Sequence, residues 1–104
     1  MVGKRPRLLT LSVKESLILD LLTKRGELYG LQLVAASRRK LKRGTVYVTL
    51  SRMEHKGYIT SRLEDPPANV GGMPRRLYQA TSLGRRVLTA WSAPTIHVMP
   101  EFAR

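Results

Sequence analysis

The chain contains no cysteine, which excludes disulfides and thiolate metal sites and removes any redox-compartment signal. Its 7 acidic residues are scattered, with Glu64 and Asp65 adjacent, and none are paired in a way that suits acid–base work. His55 and His97 are the only histidines, and neither has a third ligand at metal-binding spacing. A Gly-x-Ser-x-Gly elbow, a phosphate-cradling Gly-Lys-Thr and a dinucleotide fingerprint are all missing. An enzyme is therefore not expected, and neither a metal nor another cofactor is implied. Long apolar runs are missing as well: Leu17-Ile18-Leu19 is far too short to span a bilayer. Lys4, Arg5 and Arg7 are followed by no apolar stretch ending in a small-residue cleavage site. The expectation is a cytoplasmic, nucleoid-associated protein with no membrane contact. No repeat or low-complexity tract interrupts the chain.

Positive charge is abundant. Lys and Arg number 19, giving a formal net charge of +12 on 104 residues. A surplus of that size attracts polyanions and releases their counterions on binding. The length supports one domain with a modest core, and 42% hydrophobic residues is ordinary for a folded protein. Five of the six residues from Arg38 to Arg43 are cationic, and they run straight into the segment between Lys42 and Gly57. That segment reads as a helix with an apolar stripe at Val46, Leu50 and Met53, the side of the wheel that also holds Gly57. Thr45, Val48 and Arg52 fall on the opposite side, with Thr49 at the border. A helix packed by one side and offering these residues on the other fits a DNA major groove.

Other elements follow from local signals. Residues 1–11 read as a basic arm. Ser12-Val13-Lys14-Glu15 has the form of a capping box and opens a first helix, in which Leu17, Ile18, Leu21 and Leu22 recur at helical spacing before Lys24-Arg25-Gly26 closes it. A second short helix is expected to carry Leu31, Val34 and Ala35. After Gly57, Tyr58 to Leu63 and Arg75 to Thr81 read as strands around a Pro- and Gly-rich loop. Thr81 or Ser82 is expected to cap a last helix with Leu83, Val87, Leu88 and Trp91 on one side, limited by Pro94. The fold class is therefore mainly α with a small β-hairpin (α+β), a winged helix-turn-helix in the order α-α-α-β-β-α. The expected organisation is a basic arm (1–11), a winged helix-turn-helix domain with its C-terminal helix (12–92) and a tail (93–104).

Three motifs in this order resemble the PadR family of winged-helix transcriptional regulators, over roughly Ser12 to Leu88. They are Ile18-Leu19-Asp20-Leu21-Leu22 with Leu28-Tyr29-Gly30-Leu31; Leu41-Lys42-Arg43-Gly44-Thr45-Val46-Tyr47 through Leu50, Arg52-Met53-Glu54 and Gly57-Tyr58-Ile59; and Gly72-Met73-Pro74-Arg75-Arg76-Leu77-Tyr78 with Leu83-Gly84-Arg85-Arg86. Val48 and Glu27 stand where the family often has proline. The resemblance implies a homodimeric repressor that occupies promoter DNA and often responds to a small molecule. The single helix after the wing corresponds to the short form of that architecture.

Each candidate residue has a chemical role. Arg52 is suited to bidentate contact with guanine, and Thr45, Val48 or Thr49 to a thymine methyl. Lys40, Lys42 and Arg43, at or before the helix N-terminus, are suited to phosphates. Tyr47 reads equally as a phosphate contact or as the edge of the core. Tyr29 reads mainly as core, and Tyr58 and Tyr78 as structural. Arg75 and Arg76 follow a loop long enough to reach a minor groove or flanking backbone. Trp91 reads as an anchor in a dimer seam, with a planar aromatic effector as the second reading. The expected function is a sequence-specific double-stranded DNA-binding regulator. The alternative is a nonspecific nucleic-acid protein, structural or RNA-binding, which uses the same basic surface.

Overall fold

The structure, a computed structural model, describes residues 11–66 and 71–103, with side-chain surroundings up to residue 92. It contains α1 (Val13–Arg25), β1 (Leu28–Tyr29), α2 (Gly30–Ala36), α3 (Arg43–His55), β2 (Ile59–Glu64), β3 (Arg75–Ala80) and α4 (Ser82–Ala103). These helices and strands give the expected α+β winged helix, with one strand more than the hairpin. Leu28 and Tyr29 pair antiparallel with Tyr78 and Leu77, so the sheet order is β1-β3-β2. A two-residue strand has no readable alternation, which is why the sequence pattern misses it. β2 and β3 pair from Ile59↔Ala80 out to Glu64↔Arg75.

The capping box forms as expected. Glu15 N donates to Ser12 Oγ at 3.1 Å, and Ser12 N donates to Glu15 Oε1 at 2.9 Å. Ile18, Leu19 and Leu22 of α1 meet Leu33 of α2 and the Val46–Leu50–Met53 stripe of α3 in one core. Full burial of each such side chain contributes about 1.5–3 kcal/mol. Leu11, at the end of the expected arm, joins this core. In α2, Leu33 is the buried anchor, whereas Leu31 and Ala35 are exposed. Of the expected apolar positions Leu31, Val34 and Ala35, only Val34 packs against the core; the helix is rotated so that Leu33 faces inward. The arm cations Lys4, Arg5 and Arg7 and loop residues 67–70 lie outside the described residues.

Helix α3 ends in a hydrogen-bond pattern that requires a left-handed residue. Gly57, at φ 83°, donates to Glu54 O at 3.0 Å, and Tyr58 N donates to Met53 O at 2.9 Å. This turn takes Gly57 out of the helix and starts β2. Thr81 then joins the wing to α4: its N donates to Tyr58 O at 3.0 Å, and its Oγ1 accepts from Gly84 N at 2.9 Å. Of the two expected caps it is Thr81 that acts. Pro94 does not end α4, which continues to Ala103. A proline forfeits one helical bond and crowds the carbonyl four residues back, and an intact flanking ladder can absorb that as a local bend.

The turn from α2 to α3 is strained. Arg38 and Arg39 both have positive φ, 57° and 68°, and the left-handed region costs an L-residue roughly 1–2 kcal/mol. The turn is pinned at both ends by buried groups. Ser37 Oγ donates to Val34 O at 2.7 Å and accepts from Leu41 N at 3.0 Å, and Leu41 is itself in the core.

Candidate nucleic-acid interface

The helical wheel divides α3 as its residue types demand. Val46, Leu50 and Met53 are buried, while Thr45, Val48, Arg52 and His55 are exposed. Val48 is 54% exposed, unusually open for a valine whose helix has an apolar side to spare. Thr49 is half-buried, and its Oγ1 donates to Thr45 O at 3.3 Å, which leaves its methyl available. The side chains of Arg52, Lys42 and Arg43 form no hydrogen bond or ion pair with another described residue. These three cations, two before or at the helix start and one on its third turn, therefore sit on one helix with no neutralising partner. Lys40 is exposed too, but it borders the groove between α1 and α4, beside Asp20 and Trp91.

Tyr47 is packed on one side and open on the other. Its ring lies over Gly30, so close that a Cβ there would stand 2.5 Å from Tyr47 Cε1, yet the residue is 47% exposed. Only glycine at position 30 allows α3 to seat this ring on the start of α2. Tyr58 and Tyr78 are buried, as their structural reading expects; burial raises the Tyr78 phenol above its ordinary value.

The wing arginines are held at the loop end of the β2–β3 hairpin. The Arg75 guanidinium stacks on the Tyr29 ring with its carbon 4.3 Å from the centroid. Arg76 Nη1 donates to Ser61 Oγ at 3.0 Å, and Ser61 Oγ donates to Glu54 Oε2 of α3 at 2.6 Å. Tyr29 Oη donates to Glu64, and this bond raises the phenol above its ordinary value, burial adding to the shift. Tyr29 is half-buried, so its reading as core is only partly met: it is the platform for Arg75. Ser61, Glu54 and Tyr29 were missed as members of this surface. Their roles come from cross-strand and cross-element contacts that no local spacing encodes; only the Tyr29-Gly30 pair stood out in the sequence.

Together these residues border a half-open cleft of about 330 Å³, lined by Tyr29, Gly30, Leu31, Gln32, Tyr47, Arg75 and Arg76. The cleft joins α3 to the wing. In the same sheet, Arg62 Nε and Nη2 donate to Glu27 at 2.8 and 2.9 Å; this hydrogen bond lowers the Glu27 carboxyl below its ordinary value. Among the described residues, no cluster of three or more His, Cys, Asp or Glu could hold a metal, and no helix is long and apolar enough to cross a membrane. The His97 side chain lies outside the described residues.

Trp91 is separated from this surface. It is 39% exposed and lines a groove of about 340 Å³ between α1 and α4, with Val13, Leu17 and Leu88.

No curated protein matches the sequence. Among solved structures, PadR of Bacillus subtilis in complex with operator DNA superposes with a TM-score of 0.69 at 24% identity, covering 79% of this chain and 48% of that one. A PadR family transcription regulator from Clostridium difficile R20291 superposes with a TM-score of 0.68 at 28% identity, covering 89% of this chain and 100% of that one. A PadR-like transcription factor from Bacteroides fragilis gives 0.71 at 20% identity, covering 86% of each chain. The chain thus spans about half the length of the Bacillus protein and the whole of the Clostridium one. The sequence model of the PadR-like family of transcriptional regulators matches residues 18–90, from within α1 to the first turns of α4, and the chain belongs to that family.

Proposed function

We propose that the protein is a sequence-specific double-stranded DNA-binding transcriptional regulator that acts as a dimeric repressor. The observation that carries this reading is the division of α3. Three apolar residues bury one side, and Thr45, Val48, Thr49 and Arg52 occupy the other beside unpaired Lys42 and Arg43. Arg52 reads guanine, the threonines and Val48 meet thymine methyls, and Lys42 and Arg43 hold phosphates. Arg75 and Arg76 add backbone contacts from the loop end of the wing strands. The Bacillus protein that shares this fold has been seen on operator DNA, which supports the same partner here. Lys40 belongs to this footprint only if the duplex reaches the α1–α4 edge.

Residues 12–92 form the DNA-binding unit, with the arm and the tail as its extensions. α4 supplies the dimer seam: Leu83 and Trp91 are large exposed apolar residues on it. In this arrangement Trp91 is first an interface anchor and second a stacking surface for a small aromatic effector. Repression follows from occupying promoter DNA and excluding polymerase.

Selection of bound duplexes from a random pool tests the reading. A recovered site with two related half-sites, still bound under excess random duplex at moderate salt, is the expected result. Loss of all binding to random competitor would instead establish a nonspecific nucleic-acid protein.

A further inference from the structure

The cleft between α3 and the wing has a lining with one chemical bias. Its floor is Gly30, where the absent side chain leaves room for the Tyr47 ring. Its walls are the Tyr29 and Tyr47 rings. Its polar groups are the Tyr47 hydroxyl, the Gln32 amide and the guanidiniums of Arg75 and Arg76. The Gln32 Oε1 already accepts from Tyr29 N at 2.8 Å, which leaves the NH2 end of that amide free to donate. No carboxylate lines the cleft: Glu64 is engaged by the Tyr29 hydroxyl and Glu54 by the Ser61 hydroxyl. Arg75 is fixed by its stack on Tyr29, and Arg76 by Ser61, so both cations are placed before any ligand arrives.

We propose that this cleft receives a single phosphodiester of the DNA backbone, held by Tyr47, Gln32, Arg75 and Arg76. The inference rests on the DNA-binding reading above and adds a defined site to it. It assigns binding roles to Gln32 and to the Tyr47 hydroxyl. It also puts the wing arginines at one phosphate beside the recognition helix, not at a minor groove beyond the wing tip. A phosphate in this position is gripped from α3 and β3 together, so it fixes the register in which Arg52 meets the bases. Prearranged donors of this kind favour a compact multidentate anion over a general field of charge.

The test uses the duplex recovered from the random pool, in a series in which one phosphate at a time is replaced by a neutral methylphosphonate. Affinities are measured for the wild type, Tyr47→Phe and Arg76→Gln. At one phosphate per half-site the wild type should lose about tenfold on neutralisation. At that same phosphate, and nowhere else, each variant should lose markedly less, because its partner in the contact is already gone. Independent, multiplying losses at every position would overturn the proposal. So would a cleft that binds inorganic phosphate in the free protein, seen as Tyr47-dependent shifts, without any coupling on the duplex; that outcome would identify a free-anion site. Failure of the wild type to bind any selected duplex would instead bring down the DNA-binding reading itself. Tyr47→Phe keeps the ring on Gly30, and thermal unfolding of both variants shows whether a loss of binding comes from a loss of fold.

Discussion

Lys56 Nζ stands 2.9 Å from Glu15 Oε2, while the other oxygen of the same carboxylate accepts from Ser12 N. One buried side chain thus closes the start of α1 and fastens the end of α3, the helix that carries the candidate recognition face. Glu15 is almost fully buried and Lys56 half-exposed, so the acid depends on the contact more than the base does. Glu15→Ala removes a cap acceptor and an ion pair together and should destabilise the protein by about 1–3 kcal/mol. Lys56→Met, which keeps the stem, should have a smaller effect. Urea unfolding midpoints measure both; equal midpoints for wild type and Glu15→Ala would show that the α1–α3 tie contributes nothing.

Gly84 and Gly44 predict opposite responses to the same substitution. A Cβ at Gly84 would stand 2.1 Å from the Tyr58 carbonyl oxygen, which is backbone and cannot swing aside. Gly84→Ala must push α4 off the turn between α3 and β2 and should cost roughly 1–3 kcal/mol. At Gly44, in the first turn of α3, a Cβ would meet nothing within 4 Å. Gly44→Ala should stabilise by about 0.4–1 kcal/mol through a less flexible unfolded chain. Thermal unfolding separates the two, and a stable Gly44→Ala protein that no longer binds DNA would show how closely the backbone there approaches a phosphate.

Much of this architecture is readable from local sequence signals. Ser12 and Glu15 specify the start of α1 at a spacing of three, and the Val46–Leu50–Met53 stripe orients α3 without reference to its neighbours. Helical periodicity and caps are short-range rules, and the stripe is wide enough to be unambiguous. What escaped was non-local. β1 exists because Leu28 and Tyr29 find a partner some fifty residues later in β3, and the Arg75–Tyr29 stack exists for the same reason. Leu31 shows the limit of the pattern itself: in a seven-residue helix two turns do not fix the phase, and the buried position is Leu33. The end of α4 was misplaced because Pro94 was given the weight of a stop in a helix whose ladder continues on both sides.

The strained turn gives a test on stability with a second readout on binding. Arg38 and Arg39 hold left-handed backbone conformations that asparagine tolerates far better, and their turn is pinned by Ser37 and Leu41. Replacing both arginines by asparagine should raise stability by about 1 kcal/mol or more. If affinity for the selected duplex falls at the same time, the arginines are kept for their charge. A melting temperature that drops would mean that the guanidiniums, not the backbone, hold the turn.

Tyr29 makes a prediction at alkaline pH. Its hydroxyl donates to the Glu64 carboxylate, which holds the phenol above its ordinary value of 10.0. A folded value above the unfolded one means that the contact stabilises fully below pH about 10 and is lost as pH rises through the folded value. Tyr29→Phe should therefore remove a late-ionising phenol from the phenolate absorbance titration and flatten the loss of stability above pH about 10. A lost phenol that titrates at or below its ordinary value would show that the Glu64 contact does not hold the proton.

The base-reading role of Arg52 is separable from mere charge. It is exposed on α3, unpaired among the described residues, and on the same side as Thr45 and Val48. If its guanidinium contacts a guanine edge in two bonds, Arg52→Ala should relax preference at one base pair of each half-site, at about 1–3 kcal/mol on the preferred base. Binding to random duplex should change little, since nonspecific affinity comes from phosphates that Lys42 and Arg43 still contact. Arg52→Lys should keep the charge without the fork, and so recover salt dependence without recovering the preference. A uniform loss on every sequence, restored by lysine, would reassign Arg52 to the backbone and leave Thr45, Val48 and Thr49 as the residues that read the site.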